Sequence, residues 1–131
     1  MVRGQDRRVG LIHVQVSLKA PGASAPGYEG SFLVDTGATD SMAAASDLSR
    51  AGIKPVGRKT YEMADGSVHE NEFGLAQIEV MSEVTAGRVI FGPEGVEPIL
   101  GGTVLESIGF VVDPASQSLR RLPAIPLKRT G

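Results

Sequence analysis

The segment Phe32-Leu33-Val34-Asp35-Thr36-Gly37-Ala38-Thr39-Asp40 sets an acid directly behind three apolar residues. A carboxylate at the end of a buried strand is costly unless hydrogen bonds or a function retain it. Thr36 offers a hydroxyl, and Gly37, lacking a Cβ, lets backbone amides come close to the carboxylate. Two readings fit the tripeptide. Asp35 can open an Asx-turn after a strand, or it can be kept there for acid–base work.

Other chemistries find little support. The chain has no Cys, which excludes a disulfide scaffold, a thiolate zinc site and cysteine catalysis. With no Trp, four Phe and two Tyr, it lacks the aromatics of a base-stacking platform, so nucleic acid is not an expected partner. His13 lies on the polar side of an alternating segment and His69 is far from it, beside Glu70. Neither has metal-ligand spacing, so both read as surface histidines, and no metal or other cofactor is expected. The run from Gly52 to Thr60 superficially suggests a phosphate loop, but Pro55 removes an amide donor and a helix rather than a strand precedes it. Glu94, Glu97 and the remaining acids are scattered and read as solvated.

The elements that must position Asp35 are mostly strands. Ile12, Val14, Val16 and Leu18 alternate with polar residues, as in a half-buried strand, and a Pro- and Gly-rich loop then turns the chain into a second strand over residues 28–34. Residues 46–52 suit a short helix with Ser46 as N-cap and Gly52 just past its end. Residues 58–63 and 68–73 flank Ala64-Asp65-Gly66-Ser67, and Asp-Gly between strand-like runs signals a hairpin. Further strands are expected over 75–81, 88–91 and 110–112, with a second short helix over 103–108 stopped by Gly109. Many short strands with little helix predict a mostly-β sandwich or barrel.

A length of 131 residues suits one domain, and 41% apolar with 21% charged residues describes a globular chain. The net charge of −2 hides a segregation: Arg3, Arg7 and Arg8 lie at one end, and Arg120, Arg121, Lys128 and Arg129 at the other. The division expected is a basic tail over 1–8, a domain over 9–122 and a basic, proline-containing tail over 123–131. Such ends are ordinarily solvated, an electrostatic contact being the other reading. No apolar run approaches a membrane span and the start leads into no signal-peptide core, so a cytoplasmic protein with no membrane partner is expected.

Asp-Thr-Gly-Ala after a buried strand resembles the active-site loop of retropepsin-like (retroviral-type) aspartic proteases. The Ala64–Ser67 hairpin sits where that family has its substrate-covering flap, and Pro98-Ile99-Leu100-Gly101 resembles its second hydrophobic-hydrophobic-Gly motif. Order and spacing agree over about four fifths of the chain, from Leu11 to Val112. The resemblance implies a single-lobe acid-protease fold, a closed barrel-like β-sandwich with a flap hairpin and one or two short helices. It also implies an aspartic endopeptidase acting on an extended peptide or protein substrate. Peptide hydrolysis by carboxylates takes two of them, and this chain has one Asp-Thr-Gly, so the site would be completed by a homodimer.

By the same resemblance Asp35 is the catalytic carboxylate, Thr36 braces the opposite loop across the dimer axis, and Gly37 gives close backbone contacts. Ala38 would line the cleft, Met63, Ala64, Asp65 and Gly66 would form the flap over the substrate, and Ile99 would wall a subsite. Ordinary core packing is an equal reading for Met63 and Ile99. The chain departs from the retroviral pattern in having Thr39 where that pattern has Asp and Gly102 where it has Arg, two residues that pair with each other there. Its flap tip is Asp-Gly rather than Gly-rich and apolar, and Pro123 and Pro126 remove amide donors from the C-terminal segment. These features are closer to cellular and bacterial members. A non-catalytic module using the same fold for dimerisation or peptide binding is the alternative.

Overall fold

A computed structural model describes residues 11–24 and 27–127. The basic tail expected over 1–8, and Lys128 and Arg129 of the other, lie outside the described residues. In chain order the elements are β1 (His13–Lys19), β2 (Tyr28–Asp35), β3 (Ser41–Ala44), α1 (Ala45–Arg50), β4 (Gly57–Glu62), β5 (Val68–Val80), β6 (Glu83–Gly92), β7 (Ile99–Gly101), α2 (Gly102–Ile108), β8 (Phe110–Asp113) and β9 (Ser118–Arg121).

The β1–β2 hairpin pairs antiparallel from His13 opposite Leu33 to Leu18 opposite Tyr28. From β2 the sheet continues through β7, β3, β6 and β5, and β5 returns to pair with β1 from Val16 opposite Val80 to Lys19 opposite Gln77. That last pairing closes a six-stranded barrel, which removes its open edges. Strand alternation sends Val16, Leu18, Phe32, Ile78, Val80, Val89 and Leu100 inward, where Leu48 of α1 and Ile53 seal the interior. Each of the larger side chains contributes about 1.5–3 kcal/mol by its burial. The fold is the mostly-β, single-lobe architecture expected, with two short helices. No described helix is long and apolar enough to cross a membrane.

Several boundaries differ from the sequence reading. The runs 68–73 and 75–81 are one strand, β5, which passes through Gly74 without a break. Its first half pairs with β4 as a hairpin projecting from the barrel, and its second half pairs with β6 inside it. A Cβ at Gly74 would lie 2.7 Å from Ile53 Cγ2 and from the Lys54 carbonyl oxygen, so this glycine serves close approach rather than chain reversal. Ser46 is not an N-cap: α1 starts one residue earlier, behind Ala44. The Ser46 amide and hydroxyl instead donate to Glu94, at 3.1 and 2.5 Å, so a carboxylate from the β6–β7 loop satisfies the helix start. Gly52 and Gly109 end the two helices as expected, both with positive φ.

After α2 the chain forms a separate two-stranded sheet, Phe110 opposite Arg121 through Asp113 opposite Ser118. The Arg121 guanidinium lies 4.7 Å from the centroid of the Phe110 ring and pairs with Glu83, tying this hairpin to the start of β6. Pro123 and Pro126 follow β9, and Ile125 packs against Gly109.

Candidate active site

Asp35 is the last residue of β2, held on both sides. The Val34 amide donates to the Ile12 carbonyl at 2.8 Å, and β7 runs parallel with Asp35 opposite Gly101. The chain then turns sharply, the Ala38 amide donating to the Asp35 carbonyl at 3.1 Å. In that turn the Gly37 amide points at the side chain and donates to Asp35 Oδ1 at 3.1 Å. A backbone amide fixed on one carboxylate oxygen orients the group. Asp35 is half-buried, whereas Thr36 and Gly37 are exposed on the protomer surface.

The second glycine motif locks this loop from behind. The Gly102 amide donates to the Ala38 carbonyl at 2.7 Å and the Thr103 amide to the Thr39 carbonyl at 3.3 Å. The hydroxyl of Ser41, fully buried, accepts the Gly101 amide at 3.0 Å. A Cβ on Gly101 would come within 2.7 Å of the Thr39 carbonyl oxygen and the Asp40 carbonyl carbon, so only glycine lets the two chains cross here. Gly102, where the retroviral pattern has Arg, is half-buried, and a Cβ there would sit 3.3 Å from the Thr36 carbonyl oxygen. Ile99 is half-buried on β7, opposite Leu33 on one side and Met42 on the other.

The β4–β5 hairpin turns through Met63-Ala64-Asp65-Gly66-Ser67. The Met63 amide donates to the Ser67 carbonyl at 2.8 Å and the Gly66 amide to the Met63 carbonyl at 2.9 Å. Gly66, at φ +87°, takes the left-handed position that this turn needs. The Ser67 hydroxyl and amide donate to Asp65 Oδ1, at 2.6 and 2.9 Å, and hold its carboxyl below the usual range. Residues 62–70 are exposed throughout.

Asp35, Thr36, Gly37 and Ala38 therefore lie at and just past the end of β2, with Ile99 opposite Leu33 on the parallel neighbour β7, while Met63, Ala64, Asp65 and Gly66 form the tip of the projecting hairpin. The hydrogen bond that joins the two groups comes from a residue the sequence reading passed over. The Tyr61 hydroxyl donates to Asp40 Oδ2 at 2.7 Å, and Arg88 Nη1 lies 3.9 Å from the same oxygen. Burial, then the bond to Asp40, pushes the Tyr61 hydroxyl up to about 12, so it remains a donor at ordinary pH. Tyr61 shares a face of β4 with Gly57 and Lys59, a pattern that carries no sequence signal toward Asp40. Among the described residues no group of His, Asp and Glu could hold a metal ion.

With this geometry in place, the chain can be set beside known protein families. The family described as "gag-polyprotein putative aspartyl protease" matches residues 23–107. The chain belongs to this family. The matched span holds the Asp35 loop, the β4–β5 hairpin and the Gly101-Gly102 crossing, and it agrees with the retropepsin-like resemblance. No curated protein matches the chain. In this retropepsin-like chain β8 and β9 lie beyond the matched span.

Proposed function

We propose that the protein is an aspartic endopeptidase that hydrolyses extended polypeptides at a site shared by two copies of the chain. The observation that carries the proposal is the Asp35 carboxylate. It ends a half-buried strand, takes one backbone amide, and lies in a loop locked by a glycine crossing, in a member of an aspartyl protease family. Each chain supplies one such carboxylate, and the exposed Thr36 and Gly37 beside it are free to meet a second copy.

In the homodimer Asp35 and the partner subunit's Asp35 share one proton, because two carboxylates about 3 Å apart do not both ionise. The ionised member takes a proton from a water molecule between them as its oxygen attacks the peptide carbonyl carbon. The protonated member gives its proton to the carbonyl oxygen. Collapse of the tetrahedral intermediate breaks the C–N bond, with a proton passing to the leaving nitrogen. The substrate lies as an added strand under the Met63–Gly66 turn, with Ala38 and Ile99 lining the cleft. No step calls for a metal or cofactor.

Cleavage of an unfolded protein between about pH 4 and pH 7, read by mass spectrometry, tests this. Asp35→Asn keeps the shape and removes the proton chemistry. Activity present in the wild type and absent in the variant is expected. Equal cleavage by both, or none by a confirmed wild-type dimer, would contradict the proposal, the latter favouring a peptide-binding module.

A further inference from the structure

We propose that Tyr61 and Asp40, bridged by Arg88, form a latch that positions the flap over the active-site loop, an inference that rests on the protease reading above. The two sides of the contact are unequal. Asp40 belongs to a stretch already fixed by Gly101, Gly102 and Ser41, and its side chain is 11% exposed. The hairpin is free: β4 lies at the edge of the sheet, paired with β5 alone, and everything from Glu62 to Glu70 is exposed. The height of the tip above Asp35 is therefore set at Tyr61, two residues before the turn begins at Met63.

The hairpin turns one face toward the loop along its length. Tyr61 pairs with His69 and Gly57 with Phe73, so the Tyr61 and Phe73 side chains share the side turned toward the loop. A Cβ at Gly57 would lie 2.8 Å from Phe73 Cζ, so the ring covers the start of β4. Arg88 of β6 reaches both the hairpin and the loop, its guanidinium carbon 4.9 Å from the Phe73 ring centroid and its Nη1 3.9 Å from Asp40. Among the described residues, Tyr61 to Asp40 is the one side-chain hydrogen bond between hairpin and loop. Arg58, with Glu70 and Glu72, stiffens the hairpin across its own strands without reaching the loop. A flap held just before its tip has less freedom to lose when a substrate strand adds to it. Tyr61, Asp40 and Arg88 are positioning residues and do not touch the reacting atoms.

The test is Tyr61→Phe, which deletes one hydroxyl. The expected result is KM raised about tenfold, the scale of one hydrogen bond to a charged group, with kcat within about twofold of wild type. Asp40→Ala, which also frees Arg88, should lose at least as much, and the double variant should be no worse than Asp40→Ala alone, because Tyr61 acts through Asp40. Asp40→Asn, which keeps an acceptor, should recover most of the loss. Independently of catalysis, ¹⁵N relaxation should show the amides of Thr60, Tyr61 and Glu62 falling from rigid order parameters near 0.85 toward 0.6 in Tyr61→Phe, with Gly37 and Gly102 unchanged. Unchanged KM, additive single variants, or a lower melting temperature with flap order intact would overturn the latch. If neither wild type nor any variant cleaves peptide, the protease reading fails and the relaxation result alone decides the latch.

Discussion

Gly101→Ala is the sharpest test of how the fold makes the site. The backbone at Gly101 has φ −82° and ψ 167°, extended values that any residue adopts, so alanine brings no conformational penalty. Its cost comes from contact. The new methyl would lie 2.7 Å from the Thr39 carbonyl oxygen and the Asp40 carbonyl carbon, and 2.8 Å from the Asp40 carbonyl oxygen. These are backbone atoms, and the bonds from the Gly102 amide to Ala38 and from the Gly101 amide to Ser41 keep them from moving apart cheaply. Overpacking of this kind costs about 1–3 kcal/mol, and with no flexible side chain to yield, about 3 kcal/mol is expected here. For a chain of this length that lowers the melting temperature by roughly 10 °C. Gly87→Ala is the control, since its nearest neighbour would be Ile78 Cδ1 at 3.8 Å, and it should be neutral or slightly stabilising. Urea unfolding of both variants, with cleavage assays alongside, measures the difference. A Gly101→Ala protein within about 1 kcal/mol of wild type would refute the argument that this crossing fixes the Asp35 loop.

Other expectations follow from the same structure. The β5–β6 hairpin turns on Met81 and Ser82, at φ 51° and 69°, where neither residue is suited; Met81→Asn with Ser82→Gly should stabilise the protein by about 1 kcal/mol in urea unfolding, and a loss would contradict it. Hydrogen bonds from the Ser46 hydroxyl and amide hold the Glu94 carboxyl below its usual range. Its stabilising effect is therefore present above the unfolded-state value and lost as pH falls through the lower folded-state value. Thermal melts from neutral to acid pH should show wild type more stable than Glu94→Gln at neutral pH, with the gap closing on acidification. A constant gap would assign the effect to something other than that ionisation.

What could be read from the sequence is what turn chemistry writes locally. The strand end at Asp35, the Asp65-Gly66 reversal, and the glycine stops at Gly52 and Gly109 each follow from a few adjacent residues. What could not be read depends on distant partners. Ser41-Met42-Ala43-Ala44 has no strand signature, and becomes β3 because β6 and β7 flank it. Ile99-Leu100-Gly101 is too short to declare itself a strand without β2 beside it. Gly74 looked like a break because a glycine in a strand interior usually weakens it, whereas here it admits Ile53 and the Lys54 carbonyl. Ser46 was misread as a cap because its actual partner, Glu94, is 48 residues away. The Tyr61–Asp40 bond joins two polar residues 21 positions apart, and no spacing rule pairs them.

The central claim is a catalytic centre made of one Asp35 from each of two chains, and mixing tests it most directly. Wild type and Asp35→Asn are combined in equal amounts, unfolded and refolded together, and assayed at constant total protein. If both carboxylates are required, only pairs of wild-type chains cleave, and activity falls to about a quarter of the all-wild-type sample. A fall to about half would mean that each chain works alone, and would contradict the shared site.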